Sequence, residues 1–172
     1  MFAHIASKQS GLRKGGNAEA NALAVKQLSF FSPKTEEPQI MNAEQNKELV
    51  TRTWQAFIKG DVDTALANMS DEISWVIPGN LQGVSGLKRG KAAVREFGSN
   101  VGRAFPQGLT SDINKVHAAG DTVIVELTNH GKAANGKDYR NEYCFIFELE
   151  NDKIRRVREY VDLLTVKETL LG

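Results

Sequence analysis

The pattern of hydrophobic and polar positions changes its period once along the chain, at Pro106. Before this proline, apolar residues recur at the spacing of amphipathic helices, and after it they alternate with polar residues as in half-buried strands. A run of helices followed by a run of strands is typical of the α+β class. We therefore predict a curved antiparallel sheet wrapped around three N-terminal helices, with a cavity between the sheet and the helices.

The first helix has a clear start and end. Asn42 is suited to cap its N-terminus, with Gln45 as the reciprocal partner of a capping box, and Gly60 ends it. The other elements predicted before Pro106 are a second helix over 62–69, a strand over 73–77, a glycine-containing loop over 79–90 and a third helix over 91–105.

Short turns separate the strands of the second half. The predicted strands are Leu109–His117, Thr122–Asn129, Tyr139–Glu148 and Lys153–Leu163. Tight connections between neighbouring strands favour an antiparallel meander.

The turns also predict which side chains share a face. With Asn151-Asp152 as a two-residue hairpin turn, Asn141 lies opposite Asp162. With the preceding loop centred near Ala133-Ala134, Glu126 lies opposite Asn141. Directly opposite residues point to the same face of a sheet, so a row of Glu126, Asn141 and Asp162 is predicted, with a second row of Ile124, Tyr143 and Tyr160 beside it.

Two carboxylates that flank an amide on a partly apolar face suit acid/base catalysis. Ionising both acids in such surroundings is costly, so one pKa should rise and leave a neutral acid beside an ionised base. We predict Glu126 and Asp162 as this catalytic pair, able to activate a water or to move a proton at carbon, with Asn141 orienting the substrate. The alternative is a solvent-exposed face on which the acids pair with Arg156 or Arg158.

Four aromatic residues complete the predicted substrate-binding set. Tyr143 and Tyr160 belong to the second row, and Trp54 and Trp75 are candidates for the wall of the cavity. Large aromatic residues most often pack in a core, which is the alternative for both tryptophans.

Composition narrows the classes of function. Lys and Arg number 22 and Asp and Glu 21, and this near-neutral balance argues against a nucleic-acid binder and against a polybasic membrane anchor. The chain has no apolar run of membrane-spanning length, so we expect no membrane association. A single cysteine, Cys144, and three scattered histidines give no pattern for a disulfide framework or a metal site. We expect a cytoplasmic protein that uses neither a cofactor nor a metal.

Residues 1–41 differ in composition from the rest. Through residue 34 this segment has five basic residues against one acid, Glu19. Such a leader suits a transit peptide, and the alternatives are a disordered extension or an early start codon. We predict a dispensable extension over 1–41, in which a short helix over Asn17–Gln27 is conceivable, and a folded domain over 42–172.

Two segments carry a family resemblance. Ala134–Asp162, with the sequence ANGKDYRNEYCFIFELENDKIRRVREYVD, and Lys59–Gly79 resemble the SnoaL-like polyketide cyclases of the nuclear transport factor 2-like superfamily, over roughly 42–171. Ketosteroid isomerases and limonene epoxide hydrolase share that fold. The resemblance implies a cone-shaped α+β barrel around a deep apolar pocket, and often a homodimer.

The resemblance also bears on the site. Tyr160-Val161-Asp162 is similar to a Tyr-x-Asp of limonene epoxide hydrolase whose aspartate is catalytic, and Glu126 falls on a second catalytic carboxylate. This chain departs from limonene epoxide hydrolase at Ile124, where that enzyme has arginine. It also departs at Thr53, Trp75 and Ile77, which fall on other catalytic positions of limonene epoxide hydrolase or ketosteroid isomerase.

The resemblance implies a functional pocket, and SnoaL-type cyclases use a carboxylate as their acid/base. With the predicted acid pair, we expect a cofactor-independent hydrolase, isomerase or cyclase that acts on a small apolar, oxygenated organic ligand. The alternative is a non-catalytic ligand-binding or dimerisation module of the same fold.

Overall fold

The computed structural model describes residues 41–172, and the predictions made for residues 1–40 lie outside this range. The elements, in chain order, are α1 (Ala43–Ile58), α2 (Val62–Ala67), β1 (Met69–Ile77), β2 (Gly86–Arg89), α3 (Gly90–Ala104), β3 (Leu109–Ala119), β4 (Thr122–Lys132), β5 (Asp138–Glu150), β6 (Lys153–Val161) and α4 (Leu163–Leu170). Helices precede the run of strands, which confirms the predicted α+β class.

The predicted start of α1 is confirmed. Asn42 Oδ1 accepts a hydrogen bond from the Gln45 backbone at 3.0 Å, and the Gln45 side chain accepts one from the Asn42 backbone at 2.9 Å. This reciprocal pair satisfies two backbone donors that the first helical turn leaves free. The helix packs against β3 and β4 and buries the apolar residues Leu49, Val50, Trp54 and Phe57.

The six strands form one curved, open sheet in the order β2-β1-β6-β5-β4-β3. The meander β3-β4-β5-β6 is antiparallel, as predicted, and β1 joins β6 in parallel. Residues 86–89, predicted as loop, form β2, which pairs with β1. This strand has only four residues, three of them exposed, so it has no apolar-polar alternation from which a strand could be predicted.

The C-terminal end also differs from the prediction. The last strand ends at Val161 rather than at Leu163, and Asp162 caps an additional helix, α4. Asp162 Oδ1 accepts from the Leu164 backbone at 2.9 Å, which is the bond that fixes a helix N-terminus.

A bulge in the β5-β6 hairpin corrects the predicted register. Asn151 and Asp152 both have positive φ, 50° and 59°, and Glu150 pairs with Lys153, so the two-residue turn is confirmed. The register then shifts by one residue next to Leu149, because Arg155 is the extra residue of a β-bulge. Beyond the bulge, every β6 side chain points to the opposite face from the predicted one.

The β4-β5 register is also wrong in the prediction. Lys132 pairs with Asp138, which centres the connecting loop on Asn135 instead of on Ala133-Ala134. Glu126 consequently lies opposite Cys144, and Asn129 lies opposite Asn141. The inner face of the sheet is the one that packs against the helices. Its buried side chains include alternate residues of β4, β5 and β6, namely Val123, Val125, Leu127, Phe145, Phe147 and Val157.

Among residues 41–172, no helix combines the length and the apolar character needed to cross a lipid bilayer.

Candidate active site

A cavity of about 260 Å³ lies at one end of the sheet, against the helices. Most of its wall is aromatic or aliphatic, and its few polar side chains are concentrated on β4, β5 and β6. Its lining includes Trp54, Phe57, Trp75, Gly83, Val84, Phe97, Phe105, Asn129, Tyr139, Tyr143, Glu159, Val161, Val166 and Leu170. An apolar hollow with few convergent polar groups is the usual form of a small-molecule site.

Glu159 supplies the acidic group of the cavity. It lies on β6 opposite Phe145, and only 7% of its surface is exposed. Trp75 Nε1 donates a hydrogen bond of 2.7 Å to Glu159 Oε2. Burial raises the pKa of this carboxyl to about 7, although the Trp75 hydrogen bond and the Lys88 charge both lower it. Glu159 can therefore give or take a proton near neutral pH.

Two tyrosine hydroxyls on β5 form the neutral polar group of the site. Tyr139 Oη and Tyr143 Oη are 2.5 Å apart, and Asn141 Nδ2 donates to Tyr139 Oη at 3.1 Å. Either hydroxyl can be the donor of this hydrogen bond. When Tyr139 donates to Tyr143 Oη, the hydroxyl hydrogen of Tyr143 is free to face the cavity. Burial raises the pKa of Tyr143, so this hydroxyl stays protonated at physiological pH and acts as a hydrogen-bond donor.

A second hydrogen-bonded chain approaches Tyr143 from α1 and β3. Trp54 Nε1 donates to Ser111 Oγ at 3.1 Å, and the Ser111 hydroxyl then bonds to Asn129 Oδ1. This order leaves the amide hydrogens of Asn129 for another acceptor. The Asn129 amide counteracts the effect of burial and lowers the pKa of Tyr143, as expected for a donor to its oxygen.

The structure places three of the predicted substrate-binding residues on the cavity wall: Trp54, Trp75 and Tyr143. Asn141 is buried behind that wall, where it donates to Tyr139 Oη and, at 2.9 Å, to the Asp162 carbonyl. It therefore supports the tyrosine pair from outside the cavity.

The predicted row of Glu126, Asn141 and Asp162 is not formed. Glu126 is exposed on the outer face of the sheet, beside Cys144 and Tyr160, because the β4-β5 loop is centred later in the chain than predicted. Tyr160 is 43% exposed on the same outer face, since the bulge at Arg155 reverses its orientation.

Asp162 is exposed and serves as the cap of α4. Its carboxylate accepts hydrogen bonds from the Leu164 backbone and, at 2.7 Å, from Thr165 Oγ1. The Thr165 hydroxyl bond and then the Leu164 backbone bond lower its pKa, which keeps it ionised. Neither predicted acid faces the cavity, and neither is paired with Arg156 or Arg158, which contact Glu148.

Glu159 was not predicted as a site residue, although the spacing of apolar residues on β6 indicates that it lies on the buried face. Ile154 and Val157 are three residues apart, and a regular strand cannot bury both on one face. That spacing indicates a bulge between them. The alternation Val157, Glu159, Val161 then places the acid on the buried face.

Among the described residues, no three His, Cys, Asp or Glu side chains are arranged to hold a metal ion.

The comparisons with known proteins agree with this fold. Residues 50–157 match the family described as SnoaL-like domain. Comparison with the curated proteins found no match.

Solved structures extend this comparison. Bal32a, from a soil-derived mobile gene cassette, is 28% identical, with a TM-score of 0.68 over 74% of this chain and 98% of that protein. An NTF2-like protein from Burkholderia xenovorans LB400 is 22% identical, with a TM-score of 0.64 over 76% of this chain and 98% of the other. TerC, co-crystallised with polyporic acid, is 22% identical, with a TM-score of 0.67 over 74% and 99% of the two chains.

Solved structures with this fold also include one described as a putative isomerase, from Bacillus subtilis, which is 23% identical with a TM-score of 0.68 over 77% of this chain and 97% of that one. Since the family match spans more than half of the chain, this protein belongs to the SnoaL-like domain family.

Proposed function

We propose that this protein is a cofactor-independent enzyme that transfers protons on a small, mostly apolar ketone or enone bound in the cavity. The observation that carries the proposal is the buried carboxyl of Glu159 in an aromatic hollow, with the Tyr139–Tyr143 hydroxyl pair on the adjacent strand. Glu159 takes over the acid/base role that the sequence predicted for Glu126 and Asp162.

The reaction begins with Glu159 as a base. Its carboxylate takes a proton from the carbon next to a carbonyl, the electron pair of that C–H bond forms a C=C bond, and the carbonyl oxygen gains the negative charge. The protonated Glu159 then returns the proton to another carbon of the conjugated system, which is an isomerisation. In a cyclase the new carbon nucleophile attacks a second carbonyl of the same substrate, and the proton goes to the oxygen of that carbonyl.

Tyr143 is suited to stabilise the charged oxygen. It lies opposite Val161, one inward-facing position from Glu159 on β6, so the two side chains are diagonal neighbours at about 7–8 Å. This spacing suits a substrate whose carbonyl oxygen accepts from Tyr143 while its adjacent carbon faces Glu159. Donors that are already oriented toward a developing negative charge are often the largest catalytic contribution.

The test is exchange of carbon-bound hydrogen in D₂O, measured by NMR over a panel of cyclic and aromatic ketones and enones. We expect the protein to accelerate deuterium incorporation next to the carbonyl of at least one compound, and Glu159→Gln to reduce that rate by about 100-fold or more. Glu126→Gln, a matched change on the outer face of the same sheet, should keep the parental rate.

Two results would reject the proposal that the protein is an enzyme with Glu159 as its catalytic acid/base. If no compound that binds exchanges faster than in buffer, the non-catalytic binding module of the same fold is the better description. Equal loss of exchange in both variants would show that Glu159 has no particular role.

The homodimer and the cytoplasmic location expected from the sequence stay predictions.

A further inference from the structure

We propose that Lys88 is a positioning residue: its ammonium group holds the cavity-lining loop before β2 and supplies a positive charge that favours the ionised form of Glu159. The inference deepens the proposed function, on which it rests for the catalytic role of Glu159. Lys88 itself does not line the cavity.

The register of β1 and β2 brings Lys88 to the site. Trp75 and Lys88 are directly opposite partners in this antiparallel pair, so their side chains share a face of the sheet. Trp75 donates to Glu159 Oε2 from that same face. One cross-strand pair therefore provides both a hydrogen-bond donor and a positive charge toward the acid.

The ammonium group of Lys88 is fixed in place. Nζ donates to the carbonyl of Val84 at 2.6 Å and to that of Gly86 at 3.3 Å, and it lies 4.9 Å from the centre of the Phe97 ring. Two carbonyls and an aromatic face satisfy its three hydrogens, and no carboxylate of the described part of the chain forms an ion pair with it. Its charge thus remains available to act on Glu159 across a partly dehydrated space, where Coulomb interactions exceed those in bulk water.

Within residues 41–172, the other groups facing Glu159 carry no charge. Tyr139 and Tyr143 of β5 are protonated, because burial raises the pKa of both hydroxyls, and Trp75 of β1 is neutral. The Lys88 charge lowers the pKa of Glu159, and Glu159 in turn raises the pKa of Lys88 against the larger effect of burial. The pair thereby favours ionised Glu159, the form that the proposed reaction needs first.

The contacts of Lys88 also connect the charge to the loop before β2. Gly83 and Val84 of this loop line the cavity, and Lys88 holds the Val84 carbonyl. Loss of the Lys88 side chain should therefore loosen the loop and at the same time favour the neutral form of Glu159.

The two tryptophans provide a direct measurement. The ¹⁵N–¹H signal of Trp75 Nε1 should shift with pH as Glu159 ionises, whereas that of Trp54 Nε1, bonded to Ser111, serves as an internal control. Glu159→Gln should abolish the titration of the Trp75 signal. In Lys88→Met its midpoint should move up by about half a pH unit or more, since an opposite charge nearby favours the ionised carboxyl.

Lys91→Met is the matched control. Lys91 forms an exposed ion pair of 2.8 Å with Asp71, so its removal should leave the Trp75 midpoint unchanged. Methionine keeps the aliphatic contact with Phe97, and Lys88→Gln serves as a second variant if Lys88→Met does not fold.

An unchanged midpoint in the Lys88 variant, an equal change in Lys91→Met, or a Trp75 titration that survives Glu159→Gln would each overturn the inference. A raised Trp75 midpoint in Lys88→Met, found together with full exchange activity in Glu159→Gln, would support the electrostatic inference and reject only the proposed function.

Discussion

Glu159 is nearly inaccessible to bulk solvent and yet lines a cavity of ligand size. Burial of a carboxylate costs free energy, and the Trp75 hydrogen bond and the Lys88 charge offset only part of this cost. The remaining cost raises the pKa of the Glu159 carboxyl to about 7. A group that destabilises the fold while facing a cavity is typical of a functional site, because activity and stability often require different residues.

The stability of the protein should therefore depend on pH through Glu159. The pKa is about 7 in the folded protein against an ordinary value of 4.5, so the folded state binds more protons between these two values. The free energy of unfolding should fall as pH rises through this interval, by about 3 kcal/mol, and stay lower above pH 7.

Glu159→Gln should remove that dependence. Denaturant titrations at several pH values should show that the free energy of unfolding of the variant, relative to the parent protein, rises by about 3 kcal/mol between pH 4 and pH 8. Glu126→Gln, at an exposed position, should follow the parent closely. If the free energies of unfolding of Glu159→Gln and the parent changed with pH in parallel, the pKa of Glu159 would not be raised in the folded protein.

At the scale of elements, single residues decide which side chains reach the cavity. The two-residue turn at Asn151-Asp152 follows from local conformation, and the sequence predicted it correctly. The bulge at Arg155 and the centre of the β4-β5 loop depend on how whole strands pack, and each moves the register by an odd number of residues. An odd shift exchanges the two faces of a sheet, so Glu159 replaces Tyr160 on the inner face.

The helix α4 adds a wall that the sequence did not predict. Val166 and Leu170 of α4 line the cavity, and the helix is fastened to the β4-β5 loop by Asn135 Nδ2, which donates to the Thr169 carbonyl at 2.7 Å. The aspartate first predicted to be catalytic acts here as the cap of this helix.

Asp162→Ala should destabilise the protein by about 1 kcal/mol through loss of the helix cap. Asp162→Asn, which keeps an accepting side-chain oxygen, should lose less. Chemical denaturation measures both variants. Because Asp162 is outside the cavity, the exchange activity per folded molecule should survive Asp162→Asn, and its disappearance would return Asp162 to the list of catalytic candidates.

At the scale of the whole molecule, the described residues 41–172 contain an extended hydrophobic core. Side chains from α1, α2, α3 and five strands are packed in one cluster, which continues to the aromatic wall of the cavity. A core of this kind supplies its own hydrophobic stabilisation.

A chain that starts at Met41 should therefore fold with the stability of the full chain, to within about 0.5 kcal/mol. Denaturant titration of the two forms is the measurement, with cavity binding of a ketone as a functional control. A markedly lower unfolding free energy for the shorter chain would show that residues 1–40 contribute to the fold.

The sequence by itself determined the α+β class, the start of α1 and the tight hairpin turn, and it identified Trp54, Trp75 and Tyr143, which lie on the cavity wall. These features follow from local spacing, capping and turn chemistry, or from apolar side chains that must be buried somewhere. The tertiary structure alone decided which acid is buried, because that choice depends on a bulge and a loop centre set by packing between strands. A carboxylate is functional here only on the inner face, and one residue of register separates that face from the solvent.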